Sequence, residues 1–154
     1  MLYHISKLNE REQALVRKAP LLISILITGS DGEISDEEIE KTVKLIHTKA
    51  FSEATDIRHL YKDIDRDVDN AMRDILSELP KDVEEREKEI IDELTGLNPI
   101  LVKVDAQLAL NFYESIKKFA VLVAQSNDIF RSVLKGSARE NELVQLSMLH
   151  KPNH

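Results

Sequence analysis

The stretch LLISILITGSDGEISDEEIE, Leu21 to Glu40, runs from unbroken apolar residues through a glycine turn into a charged segment. The apolar part predicts a buried helix that ends at Gly29, with Pro20 tolerable in its first turn. Ser35 and Glu38 have the spacing of a capping box. In that arrangement the serine hydroxyl takes a free N–H of the first helical turn and the glutamate reaches back to the cap. A further helix is predicted from there, with Ile39, Val43 and Ile46 on its buried face.

Outward from this pair, helical spacing continues in both directions. A first helix is expected from about Asn9 to Lys18, followed by a separate one from Pro20 to Thr28. Ile57, Tyr61, Ile64, Val68, Met72, Ile75 and Leu79 trace one long amphipathic helix or two nearly collinear ones, stopped by Pro80. Lys81 to Thr95 reads as a charged helix with a thin apolar stripe (Val83, Ile90, Ile91, Leu94), closed by Gly96. Asn98-Pro99 is expected to cap a helix from Ile100 to about Gln125, apolar enough to be the most buried element. The pattern breaks from Ser126 to Gly136. Ser137 with Glu140 repeats the capping-box spacing before a last helix to about Met148, and the tail HKPNH is expected to fray. With only four Gly and four Pro in 154 residues, the fold class expected is all-α. It would be a single bundle-like domain, residues 1–154, of about seven helices.

Composition narrows function mainly by exclusion. Hydrophobic residues make up 42% and charged residues 32%, a globular balance with enough apolar content for a core. The net charge of −7, from 21 Lys+Arg against 28 Asp+Glu, repels phosphate backbones, and no basic patch offsets it. Nucleic acid is therefore not an expected partner. Leu21–Thr28, the longest apolar stretch, is too short for a transmembrane segment, and MLYHISKLNEREQ has no signal-peptide core, so the protein is expected to be cytoplasmic. The absence of cysteine rules out disulfides, thiolate metal sites and thiol nucleophiles.

The acidic turn can be compared with an EF-hand loop, which places oxygen ligands at positions 1, 3, 5, 7, 9 and 12 around a glycine at 6. With Gly32 at position 6, Asp31, Glu33, Ser35 and Glu38 fall at 5, 7, 9 and 12. Positions 1 and 3 become Ile27 and Gly29, which offer no side-chain ligand, so an intact EF-hand is not expected. Two readings remain. Either the carboxylates of Asp36, Glu37 and Glu38 complement the helix dipole and are otherwise solvated, or the crowding of Asp31, Glu33, Asp36, Glu37, Glu38 and Glu40 is relieved by a weakly bound hard cation, Ca or Mg.

ITGSDGEISDEEIE, following an apolar helix and leading into one with Val43 and Ile46, resembles the turn of the tellurite-resistance TerB and TerB-like family. That resemblance implies a small all-helical protein in which the helical unit occurs twice, related by a pseudo-two-fold. A degenerate second copy is expected in KFAVLVAQSNDIFRSVLKGSARENELVQL, with Asn127 and Asp128 near the place of Asp31 and Gly32, and Glu140 or Glu142 near that of Glu37 or Glu38. It further implies divalent-metal binding through clustered carboxylates and work in metal or oxidative stress through protein contacts. By position, the metal ligands would be Asp31, Glu33, Glu37 and Glu38, with Asp128, Glu140 and Glu142 as lesser candidates.

No other motif names a reaction. KDIDRDVDN pairs Asp63 with Asp67 and Asp65 with Asp69 at i,i+4, which reads as a solvated face or, less simply, as a completion of the acidic site. Asp56-Ile57-Arg58-His59 lacks the partner motif that a di-iron bundle needs, and His47 has no second ligand at i,i+4. There is no nucleophile elbow, Gly-rich phosphate loop or dinucleotide fingerprint. Tyr61, Phe112, Tyr113 and Phe119 fall at core positions. The expectation is a non-enzymatic protein that binds a divalent ion through the acidic turn and docks a protein partner. The alternative is a metal-independent helical scaffold or interaction module.

Overall fold

Asn9 starts the first helix with a reciprocal cap. Its Oδ1 accepts from the Glu12 N–H at 2.8 Å, and Glu12 Oε1 accepts from the Asn9 N–H at 3.1 Å. From this cap, in the computed structural model, α1 (Glu10–Thr28) runs as one continuous helix. The structure describes residues 8–53, 55–126 and 142–152, with the side chains of Asp31, Ser52 and Thr55 excepted.

The continuity of α1 corrects the expected division at Pro20. A proline inside a helix forfeits one backbone bond and costs about 3 kcal/mol. Here every residue from Ala19 to Thr28 is buried, and packing on all sides outweighs that loss. α1 touches each of the six other helices named below. It is therefore the central element, rather than the helix expected from Ile100 to Gln125.

The remaining helices are α2 (Asp36–Ser52), α3 (Thr55–Asp65), α4 (Val68–Glu78), α5 (Val83–Thr95), α6 (Leu97–Leu101) and α7 (Ala106–Ser126). No strand occurs among the described residues, so the all-α class holds, with seven helices. The apolar run from Ile57 to Leu79 forms two helices, because the chain turns at Arg66–Asp67 and Asp67 leaves helical geometry with φ −149°. α5 starts two residues later than expected, where Asp82 Oδ2 accepts from the Glu85 N–H at 3.0 Å.

The predicted helix from Ile100 to Gln125 is interrupted. α6 stops at Leu101, and α7 restarts beyond Asp105, whose Oδ2 accepts from the N–H groups of Gln107 and Leu108. Val104, between them, is buried in the core. α7 then presents a buried stripe of Leu108, Phe112, Ile116, Phe119 and Val123 to the core, and packs on α1, α2 and α3.

Ser137, Glu140, Asn127 and Asp128 lie outside the described residues, and with them the last capping box and most of the second repeat. Beyond them, residues 142–144 are helical, and the chain then tightens into turns closed by Leu146 N–H to Leu143 O and Leu149 N–H to Leu146 O. Leu143, Leu146 and Leu149 are buried. The start of the tail is anchored rather than frayed: Asn98 donates to the Met148 carbonyl and accepts from the His150 N–H, both at 2.9 Å. Among the described residues, no helix is long and apolar enough to cross a membrane.

Candidate functional site

The acidic turn joins the buried end of α1 to the exposed start of α2. The Gly29 N–H still donates to carbonyls of α1, and Gly29–Asp31 then form a single 3-10 turn closed by the Gly32 N–H on the Gly29 carbonyl at 3.1 Å. Gly32 adopts φ +138°, a conformation that a side chain would strain. The capping box forms as expected: Ser35 Oγ accepts from the Glu38 N–H at 3.2 Å, and Glu38 Oε1 accepts from the Ser35 N–H at 2.8 Å.

A cationic side chain reaches into this turn. Arg86 of α5 is only 6% exposed, and its Nη2 donates to the carbonyl oxygens of Gly29 and Gly32, each at 2.6 Å. A charged donor on two neutral carbonyls makes strong hydrogen bonds. Gly29 accommodates this close approach, because a Cβ there would stand 2.6 Å from Arg86 Nη2 and 3.3 Å from Ile34 Cδ1. Two of the turn's backbone oxygens, the atom type that calcium loops recruit beside carboxylates, are thus already held by a guanidinium.

Of the predicted ligands, the side chains of Glu33, Glu37 and Glu38 are described, and they do not gather into one group. Glu38 is committed to the cap. Glu33 and Glu37 are exposed, and neither makes a hydrogen bond or ion pair with a described residue. The side chain of Asp31 lies outside what is described. Among the described residues, no group of three or more His, Asp or Glu side chains converges to hold a metal. Glu142 is described and has a partner of its own.

Among the described residues, the carboxylates of KDIDRDVDN form no metal-holding group with the acidic turn. Asp63 lies 3.4 Å from Arg66, Asp65 Oδ2 lies 2.8 Å from His47 Nδ1 and accepts from it when that nitrogen carries the proton, and Asp67 holds the Asn70 amide. Asp69 shares Arg73 with Asp36, each at 3.1 Å. The hydrogen bonds that Arg73 donates to Asp69 and then to Asp36 push its pKa up, so α4 meets the turn through a cation rather than through shared carboxylates. Asp56 accepts from the Asn111 amide at 3.1 Å, which joins α3 to α7.

A second polar cluster lies at the other end of α2. Lys49 Nζ contacts Glu53 Oε1 at 2.5 Å, and Ser115 Oγ of α7 lies 3.0 Å from that oxygen and 3.2 Å from Tyr61 Oη. The serine has one proton, which is best used on the carboxylate, so Tyr61 is left to donate to the serine. Tyr61 is fully buried, and burial pushes its phenol well above the usual range, with the Glu53 charge adding to the shift. Tyr61, Phe112 and Phe119 are core residues as expected, and Tyr113 is half-buried against them.

Arg86 and Lys49 are the residues that sequence reasoning missed. Arg86 stands four residues before Ile90 and eight before Leu94, on the buried stripe of α5. That spacing was the available signal. Phe51, near the end of α2, is 64% exposed, with Lys62 Nζ 5.8 Å from its ring centre and His47 against its edge.

Fold and turn together define an all-helical protein organised around a buried helix, with an arginine-clamped acidic turn. No family model, no curated protein and no solved structure matches the chain.

Proposed function

We propose that this protein is a non-enzymatic, metal-independent helical interaction module. The observation that carries this reading is the hold of Arg86 on the Gly29 and Gly32 carbonyls. It fixes α5 against the turn without an added ion, so the charged outer face of α5 is presented as a stable surface. The cysteine-free composition and the acidic net charge support a cytoplasmic setting with protein rather than nucleic acid as partner. Resemblance of the turn to the TerB and TerB-like family supports a role in metal or oxidative stress. Thermal melting of chelator-treated protein, with and without millimolar calcium or magnesium, tests the reading. An unchanged midpoint is expected, whereas ion binding to the native state would raise it.

A second reading rests on the exposed carboxylates of Glu33 and Glu37, which have no partner among the described residues. With Asp31 they would share a weakly bound Ca or Mg ion, solvent supplying the remaining oxygens. Calorimetric titration of stripped protein decides between the two. Saturable heat that vanishes in Glu33→Gln/Glu37→Gln would replace the first reading with this one.

A further inference from the structure

The outer side of the arginine clamp is a groove. Between Ser30 of the turn and the face of α5 lies an open concavity of about 760 Å³, with Val83 and Ile91, both half-buried, on its floor. Val83 and Ile91 are eight residues apart on α5, two turns of helix or about 12 Å. The floor is thus long enough to receive two successive apolar side chains of another helix.

The rim carries negative charge. Glu84 and Asp92 are exposed along one edge, with Glu85 and Glu89 exposed further round the helix. Lys88 is the one basic side chain on this stretch that faces water. The other cation of α5, Arg86, is turned inward and committed to the backbone of the turn. Glu93 is engaged by Lys18 at 2.8 Å, away from this groove. Glu87, buried in the groove wall, has a partner of its own and is not counted as a free charge. The clamp therefore removes from the surface the arginine that would otherwise offset these carboxylates.

We propose that this groove docks a lysine- or arginine-rich amphipathic helix of a partner protein, whose apolar side chains lie over Val83 and Ile91 and whose cations meet Glu84 and Asp92. The inference rests on the interaction-module reading and adds the place and the chemistry of the partner. Charge complementarity selects this occupant. An acidic helix or a nucleic acid would be repelled by the rim, and a purely polar polycation would leave the apolar floor uncovered.

The test uses the full chain in the presence of chelator, with fluorescence anisotropy of a synthetic leucine–lysine amphipathic helical peptide. Its controls are a scrambled isomer of equal charge, a leucine–glutamate counterpart and spermidine as competitor. Saturable binding of the amphipathic peptide is expected, weakened about tenfold by scrambling and about tenfold by Glu84→Gln/Asp92→Asn. Ile91→Ser should weaken it similarly. Because Glu84 and Asp92 are exposed, their replacement tests the groove even if Ile91→Ser fails to fold. No binding by the amphipathic peptide, equal binding by its scrambled isomer, or displacement by spermidine at equal charge concentration would overturn the proposal. Peptide binding untouched by the groove substitutions would also overturn it while leaving an interaction module that docks elsewhere, for example at Phe51. Loss of the interaction-module reading itself would show separately, as an ion-dependent melting midpoint.

Discussion

α2 is bounded by two polar clusters that handle charge in opposite ways. At its start, a buried arginine from α5 is satisfied by uncharged carbonyls, and the nearby carboxylates Glu33 and Glu37 are left in water. At its end, a buried lysine is satisfied by a carboxylate, which is itself held by Ser115. The first cluster joins elements while keeping surplus negative charge outside; the second neutralises charge within. A protein that exposes one acidic end and seals the other has a surface at the first and a structural joint at the second.

The largest effect should come from Arg86→Met, which strips the cation from two turn carbonyls. Urea unfolding should show a loss of about 3 kcal/mol, the scale for hydrogen bonds to a charged group and the acceptors they leave behind. A loss below 1 kcal/mol would mean that water replaces the guanidinium easily. Glu53→Ala comes next. It leaves Lys49 without its carboxylate, but Glu53 is 17% exposed in its side chain and water can enter. About 2 kcal/mol is expected, below the range for a fully buried pair. An effect as large as that of Arg86→Met would erase the distinction between the two ends.

Ser35→Ala should cost about 1 kcal/mol, the usual value of an N-cap, with the fold unchanged by circular dichroism. Alkaline titration sharpens the contrast from the sealed end. The folded Tyr61 phenol keeps its proton above the ordinary pKa of 10.0, whereas the unfolded one releases it there. Its contribution is therefore present in full below about pH 10 and falls as pH rises further. Tyr61→Phe should flatten that alkaline decline, and an identical decline in both proteins would place the cause elsewhere. The smallest effect belongs to Asp36→Asn. Its ion pair with Arg73 is well exposed, so the loss should stay below about 0.5 kcal/mol and vanish in high salt.

The turn was legible because its signals are local. Gly32, Ser35 and Glu38 each act on neighbours within a few residues, and spacing alone predicts the capping box and the start of α2. The division of α1 at Pro20 was misread because a helix interior rarely tolerates proline, and only the burial of Ala19 to Thr28 reveals what compensates. Asp105, the residue that restarts α7, was hidden inside an apolar run whose periodicity nearly matches across the break. Arg86 was invisible for a different reason. A lone cation on a glutamate-rich helix reads as part of a solvated face, and its carbonyl partners lie 54 and 57 residues earlier in the chain. The Lys49–Glu53 pair likewise has the i,i+4 spacing of an ordinary surface pair.

The position of α1 sets how the molecule opens. Since α1 touches each of α2 to α7 and is buried from Ala19 to Thr28, none of its inner backbone amides can reach solvent by fraying of one neighbour. Deuterium should enter Leu22 to Ile27 only when the whole structure comes apart, so the exchange rates of those few amides report the global unfolding free energy directly.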